Sequence, residues 1–169
     1  MKVGDVKIRQ AQTEDVADIV ALLADDDLGR QREDPTEPLA QSYRDAFEAI
    51  ARDPNNLLVV AEGQSGQLVA TLQLTFLPSL SYRGSWRAQI EAVRVSSALR
   101  GQGIGRTLVT WAIEEAKPRG CEMAQLTSNR ARGDAHRFYA SLGFVATHAG
   151  MKLHLRDADD VAAVPADAL

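Results

Sequence analysis

The spacing of apolar residues in the first 52 residues predicts one strand followed by two helices. Residues 6–9 alternate between apolar and polar side chains, as in a short half-buried strand. Thr13 is the expected N-cap of the first helix, because acidic residues follow it in the first turn. The buried face of that helix repeats at i, i+3, i+4 and i+7: Val16, Ile19, Val20 and Leu23. The polar segment 28–38 separates it from a second helix over residues 39–52.

The middle of the chain predicts three strands. Residues 57–62 and 68–76 are apolar, β-branched runs on either side of the polar turn 63–66, which is typical of an antiparallel hairpin. After a loop around Pro78, residues 88–95 alternate regularly and predict a third long strand.

The remaining chain alternates helices with strands. Four elements are predicted: a helix over residues 103–117, a strand over 123–127, a helix over 134–142, and a closing hairpin of 144–147 with 151–155. Gly143 is the expected C-terminal stop of the last helix. Neighbouring strands early in the chain, followed by alternation with helices, predict an α+β fold arranged as an α/β/α sandwich. Its central sheet is expected to be mixed, with antiparallel N-terminal strands and about four flanking helices.

The composition fits one globular domain. With 169 residues, 45% hydrophobic and 25% charged, the chain can bury one core, so we assign residues 1–156 to a single domain and 157–169 to an acidic tail. No secretory signal or membrane span is apparent, so a cytoplasmic location without a membrane partner is expected. The single cysteine, Cys121, cannot form an internal disulfide, and no His or Cys cluster predicts a metal site.

Charge is distributed unevenly along the chain. Residues 1–62 hold 14 acids and 7 bases, including the run Asp25-Asp26-Asp27, whereas residues 63–156 hold 5 acids and 12 bases. A basic C-terminal half favours a polyanionic small molecule, and an acidic N-terminal half favours a cationic partner. The Asp run also fits an ordinary solvated surface. The net charge of -4 and the lack of a basic recognition helix argue against nucleic-acid binding.

A glycine-rich turn separates the third long strand from the helix that follows. It reads Arg100-Gly101-Gln102-Gly103-Ile104-Gly105-Arg106. At such a junction free N–H groups and the helix dipole form an anion site, and glycines let a phosphate approach without meeting a Cβ. A tight turn that binds nothing would show the same glycines. The turn lacks the Lys of a P-loop, and its Gly-x-Gly-x-Gly spacing behind an antiparallel hairpin fits a dinucleotide-binding fold poorly.

The turn and its neighbours resemble the GNAT superfamily of N-acetyltransferases over nearly the whole chain. The family motif Arg/Gln-x-x-Gly-x-Gly/Ala is matched by Arg100, Gly103 and Gly105. The strand before the turn, Asn129 after the next strand, and the helix sequence 135–144 match as well. The resemblance implies acetyl-CoA as co-substrate and direct transfer of the acetyl group to an amine, without an acyl-enzyme.

The resemblance also implies roles for individual residues. The backbone of Val93 and Val95 would bind the pantetheine arm, and Asn129 would contact the arm from the other side. The N–H groups of the turn would hold the pyrophosphate. Tyr139 would contact the thioester sulfur and protonate the departing thiolate. A buried core tyrosine would fit the apolar face of the same helix as well.

Glu91 is the candidate general base. An alkylamine with a pKa near 10.4 is almost wholly charged at neutral pH, so a base or a water chain must take its proton. Glu91 lies on the strand that leads into the turn, on the same face as Val93 and Val95 if the alternation is unbroken. An ordinary ion pair with Arg87 would explain the residue equally well. The three histidines are expected at surface or sheet positions: His136, His148 and His154.

The acceptor amine does not follow from the motif, because one fold serves many substrates. The acidic first 62 residues suggest a cationic acceptor, such as a polyamine, an aminoglycoside-like amine or a lysine side chain. A non-catalytic acyl-CoA-binding or regulatory module is the alternative, and a DNA-binding regulator is a weaker third reading. The resemblance also allows a homodimer.

Overall fold

A five-stranded sheet forms the centre of the first part of the protein. The computed structural model describes residues 6–153 and residue 155. The chain divides into two units, Met1–Gln125 and Leu126–Leu169. The strands follow the spatial order β1-β2-β3-β4-β5. They are β1 (Lys7–Gln10), β2 (Asn56–Glu62), β3 (Leu68–Pro78), β4 (Trp86–Val95) and β5 (Cys121–Leu126).

Helices connect the strands in the predicted order. They are α1 (Val16–Ala24), α2 (Gln41–Arg52), the short turn α3 (Ser81–Gly84), α4 (Ile104–Ala116) and α5 (Gly133–Ala140). Within the described residues, four helices therefore have eight residues or more, as the sequence predicted. Two 3-10 turns precede α1 and α4, Thr13–Asp15 and Ser97–Leu99. The α+β fold with a mixed sheet is confirmed.

The first four strands pair antiparallel, which confirms the predicted hairpin. Val60 lies opposite Thr71 in β2 and β3, and Leu74 lies opposite Ile90 in β3 and β4. The third long strand begins two residues earlier than expected, at Trp86, because β3 extends to Pro78 and pairs with it. These registers determine which side chains share a face of the sheet.

Helices cover both faces of this sheet. On one face α1 and α2 enclose a cluster of Val16, Val20, Leu39 and Phe47, against which Leu58 of β2 packs. The register pairs Leu58 with Gln73, so Gln73 points to the same face. Phe76 has the opposite parity on β3, and its ring lies 4.4 Å beneath the guanidinium of Arg119, which follows α4. The face of α1 and α2 is called the helical-pair face below.

The first helix starts later than the sequence predicted. Thr13 is not its N-cap, because a 3-10 turn precedes the helix. Gln12 is the N-cap of that turn and forms a capping box with Asp15. The Asp15 carboxylate accepts the Gln12 N–H at 2.7 Å. The same carboxylate binds both terminal nitrogens of Arg9, at 2.6 and 2.9 Å, and Arg9 also reaches Glu62. The buried residues of α1 include Leu22 rather than the predicted Leu23.

Replacing Asp15 with asparagine should lower the free energy of unfolding by about 2 kcal/mol at neutral pH, because it removes a half-buried bidentate ion pair. The hydrogen bond from Arg9 holds the pKa of Asp15 below its usual range. Its stabilisation is therefore complete above the unfolded pKa and is lost as pH falls through the folded one. Urea unfolding at pH 7 and near pH 3 should show the difference between wild type and Asp15→Asn shrinking in acid. The exposed Asp45→Asn variant is the control and should change little.

The closing hairpin predicted over 144–147 and 151–155 is wrong for the residues described. Helix α5 ends at Ala140, two residues before the predicted end, and Gly143 adopts a left-handed φ of 92° in the turn that follows. The Phe144 N–H then bonds back to the Tyr139 carbonyl, and the Thr147 N–H bonds to Val145. These local bonds use groups that a strand ladder would need. The side chains that would face a core are exposed: Val145 at 78%, Met151 at 94% and Leu153 at 84%.

Two predictions fall outside the described residues, the placement of His154 and the acidic tail 157–169. His148 is exposed and bonds to Thr147, in agreement with a surface position. Among the helices that the structure describes, none is long and apolar enough to cross a membrane.

Candidate active site

A β-bulge interrupts strand β4 next to the glycine-rich turn. Gln73 lies opposite Glu91 and Thr71 lies opposite Arg94, so one residue of β3 faces two residues of β4, Ala92 and Val93. Ala92 adopts a left-handed φ of 52°, which is uncommon for a residue other than glycine. Bulges leave backbone groups unpaired and redirect side chains, and they recur beside active sites.

The bulge corrects the expectation that Glu91, Val93 and Val95 share one face. Since Val95 lies opposite Ala70 and Arg94 lies opposite Thr71, the extra residue shifts the alternation by one. Glu91 therefore shares its face with Arg94, and Val95 points to the opposite face. A regular strand pattern could not reveal this, because the left-handed residue is an alanine.

Glu91 projects from the helical-pair face and is exposed. Within the described part of the chain its carboxylate has no hydrogen bond or ion pair. The alternative ion pair with Arg87 does not form, since Arg87 donates instead to the Ser79 hydroxyl at 3.0 Å. On the same face, the Gln125 amide donates to Gln89 at 2.8 Å. The exposed Glu91 carboxylate thus stands on a polar strip of this face.

The glycine-rich turn, residues 100–106, joins β4 to α4 and is called the cofactor loop below. Gly101 and Gly103 have left-handed φ values of 77° and 83°, and Gly103 is the N-cap of α4. Ile104 is buried and anchors the first turn of the helix in the core. The Thr107 N–H makes the first intrahelical bond, to Gly103 at 3.0 Å. The N–H groups of the turn before it point out of the helix N-terminus.

This geometry suits an anionic ligand. The positive end of the dipole of a 13-residue helix lies at Gly103. A Cβ added at Gly101 would meet no atom within 4 Å, so that glycine is required by its backbone angle and not by crowding. The two glycines let the chain curl so that N–H groups converge at the start of α4.

The side chain of Arg100, the first residue of the cofactor loop, bonds to backbone carbonyls outside the loop. Its Nε donates to the Val95 carbonyl at 3.2 Å, and its Nη2 donates to the backbone carbonyl of Asp25 at 2.5 Å. The Val93 carbonyl accepts a bond from Arg94 at 2.9 Å. Asp25 was not predicted at this site, because the residues it contacts lie more than 70 positions away and no local motif links them.

Asn129 and Tyr139 lie in the second unit, Leu126–Leu169. The Asn129 side chain accepts the Ala131 N–H at 2.8 Å, and its carbonyl accepts the Arg132 N–H at 3.0 Å. Asn129 thereby forms the turn that leads into α5. The half-buried Tyr139 ring makes edge contacts with two rings, Phe138 at 5.0 Å and Phe144 at 5.8 Å. The roles assigned to both residues stay predictions.

The remaining candidates, His136 and Cys121, lie in surroundings that do not indicate a catalytic role. His136 is exposed on α5, and its ring bonds to the Asn129 carbonyl at 3.0 Å. Burial raises the pKa of the Cys121 thiol, which disfavours a reactive thiolate. Among the described residues, no group of three or more His, Cys, Asp or Glu is arranged to hold a metal ion.

Known proteins are similar to this chain in sequence and in fold. The model of the acetyltransferase (GNAT) family matches residues 21–144. An aminoalkylphosphonate N-acetyltransferase from Salmonella typhimurium is 34% identical over 84% of this chain and 86% of its own length. Glucosamine 6-phosphate N-acetyltransferase 1 from Oryza sativa is 30% identical over 71% of this chain and 73% of its own.

A solved structure is more similar still. A protein from Bacillus halodurans, described as a transcriptional regulator, is 54% identical and superposes with a TM-score of 0.86, covering 89% of this chain and 99% of that one. The family match spans the bulged strand, the cofactor loop and α5. The chain therefore belongs to the GNAT acetyltransferase family and is an N-acetyltransferase with that family's α+β fold.

Proposed function

We propose that this protein transfers an acetyl group from acetyl-CoA to the primary amine of a small molecule. The observation that carries the proposal is the cofactor loop, whose left-handed Gly103 caps α4 after the bulged strand and the 3-10 turn Ser97–Leu99. The loop N–H groups would hold the pyrophosphate. The backbone of Val93 and Val95 would hold the pantetheine arm. Acetyl-CoA supplies the activated thioester, so this chain needs no nucleophile of its own.

In this proposal Glu91 takes the proton from the acceptor amine. Its carboxylate is exposed and without an ion-pair partner among the described residues, so it is available to a substrate. The amine attacks only when neutral, and removal of its proton by a positioned base is worth about 10²–10⁴ in rate. Proton transfer through one water molecule would meet the same requirement.

The acceptor class follows from the relatives' names and from β4. Both curated relatives are named for amines that carry a phosphonate or phosphate group. Arg87 lies on the helical-pair face of β4, four positions before Glu91. A small amine with a phosphorus-linked anion would find a base and positive charge on one face. The acidic run favours a cationic acceptor less than its composition suggested, because Asp25 and Asp26 contact the protein itself.

Amine-dependent release of coenzyme A, followed with a thiol reagent, tests this function. Matched acceptor pairs separate the amine from the anion: aminoethylphosphonate against propylamine, and glucosamine 6-phosphate against glucosamine. Spermidine and a lysine peptide represent the cationic class. The proposal expects higher kcat/KM for the phosphorylated member of each pair. Preferential turnover of spermidine would contradict a phosphorylated acceptor and favour a cationic one. No turnover with any amine would contradict the catalytic proposal.

Replacing Tyr139 with phenylalanine should lower kcat about tenfold or more, because the departing thiolate loses its proton donor. Acetyl-CoA affinity should stay within about twofold, since the ring and its aromatic contacts remain. Steady-state kinetics and calorimetric titration measure the two quantities separately. Phe138→Leu is the control for ring packing alone. An unchanged kcat in Tyr139→Phe would leave the tyrosine with a packing role only.

Regulation is the second candidate function, and the description of the Bacillus halodurans relative as a transcriptional regulator favours it. Such a module would use bound acetyl-CoA as a signal. It would bind coenzyme A without acetylating any amine of the panel, and it would tolerate the loss of Glu91 and Tyr139. The same kinetic and titration data therefore decide between the two candidates.

A further inference from the structure

Two residues of the acidic run contact the strand and loop that carry the cofactor site. The Asp25 carboxylate accepts the Ser97 N–H at 2.6 Å, and the Asp25 carbonyl accepts Arg100 Nη2 at 2.5 Å. The Asp26 carboxylate lies 3.6 Å from the guanidinium of Arg94, and both side chains are less than 20% exposed. The end of α1 is thereby attached to β4, to the following 3-10 turn and to the cofactor loop.

The turn after α1 holds these carboxylates in place. The Asp26 carboxylate also accepts the Gly29 N–H at 2.7 Å, and the Asp26 carbonyl accepts the Arg30 N–H at 2.8 Å. A Cβ on Gly29 would lie only 2.1 Å from the Leu23 carbonyl oxygen. The turn is therefore packed against the helix end too closely for any larger residue.

We propose that Asp25 and Asp26 are positioning residues for the cofactor loop, and we call their contacts the aspartate latch. The inference rests on the proposed function, binding of acetyl-CoA at that loop. The latch fixes the base of the loop at Ser97 and Arg100, so the N–H groups above it are already oriented before the ligand arrives. Pre-organisation of this kind increases affinity by reducing the ordering cost of binding.

Charge repulsion and loop positioning predict opposite changes in acetyl-CoA affinity when Asp25 is removed. Acetyl-CoA carries several negative charges, so a carboxylate near its site repels it, and removal of that carboxylate should tighten binding by charge alone. If Asp25 orients the loop, its removal should instead weaken binding. The two explanations therefore predict opposite changes for the same substitution.

Asp25→Ala should raise the acetyl-CoA Kd about tenfold, because the Ser97 N–H loses its acceptor and the Arg100 guanidinium loses the carboxylate that lies 4.0 Å from it. Asp25→Asn keeps an acceptor oxygen for Ser97 and should recover most of the affinity. Asp27→Ala is the matched control, since it removes the same charge from a side chain that is 91% exposed and, among the described residues, pairs only with the exposed Arg30. Its Kd should stay within about twofold or tighten.

Calorimetric titration with acetyl-CoA, well below the unfolding midpoint of every variant, gives these constants. Amide exchange of residues 96–103 in the ligand-free proteins gives a second readout and should be about tenfold faster in Asp25→Ala than in Asp27→Ala. If the wild-type protein binds acetyl-CoA and Asp25→Ala has an equal or lower Kd, the positioning role of the aspartate latch is overturned and the proposed function stands. Absence of wild-type binding would overturn the proposed function together with the cofactor role of the latch, whatever the exchange rates.

Discussion

Replacing Gly103 with valine should weaken acetyl-CoA binding about 100-fold. Gly103 has a φ of 83°, which a β-branched residue adopts only with strain, and the change would disturb the N–H groups at the start of α4. A 100-fold change in Kd corresponds to about 2.7 kcal/mol, and each hydrogen bond to a charged phosphate oxygen is worth about 1.5–3 kcal/mol, so the loss of one to two such bonds accounts for the factor. Calorimetric titration measures the change directly.

A second left-handed glycine separates affinity from backbone strain. Gly120 follows α4, has a φ of 72°, and a Cβ there would meet nothing within 4 Å. Gly120→Val should therefore cost similar stability while leaving the acetyl-CoA Kd within about twofold. If both variants lost affinity equally, the effect of Gly103 would be one of general destabilisation, and the cofactor loop would lose its assigned role.

Replacing Glu91 with glutamine should lower kcat/KM for the acceptor by about 10²–10⁴, because the amine loses its base while the side chain keeps its size. The acidic limb of the pH profile of kcat/KM should change with it. The acetyl-CoA Kd should not change, since the cofactor contacts proposed for β4 are made by the backbone of Val93 and Val95 and not by the Glu91 side chain. Steady-state kinetics across pH, with acetyl-CoA saturating, provides the measurement.

Glu122→Gln is the matched control for charge. Glu122 is an exposed glutamate on β5, the strand next to β4, and its substitution removes the same charge from the sheet. Its kcat/KM should stay within about twofold of wild type. An unchanged rate and an unchanged acidic limb in Glu91→Gln would eliminate Glu91 as the base and leave the proton to a water chain.

The elements with local signals could be predicted from the sequence. The hairpin of β2 and β3 carries its turn residues between two apolar runs. The cofactor loop was predictable because its glycines, its flanking strand and its helix are contiguous. In each case the physical cause lies within about ten residues of the effect.

The bulge and the latch could not be predicted, for different physical reasons. Ala92 takes a left-handed angle that its own side chain disfavours, so the surrounding pairing determines it and the local sequence does not. The contact of Asp25 with Ser97 joins residues 72 positions apart. The closing hairpin was predicted from alternation, but alternation alone does not show that a neighbouring strand is available to pair with. Val145 and Met151 are therefore exposed.

Thermal unfolding with and without saturating acetyl-CoA tests most directly whether the cofactor loop binds acetyl-CoA. A ligand at 100 times its Kd adds about 2.7 kcal/mol to the free energy of unfolding, which corresponds to roughly 5–10 °C in Tm for a domain of this size. We expect that shift in the wild-type protein and a much smaller one in Gly103→Val. An unchanged Tm at millimolar acetyl-CoA would contradict the account.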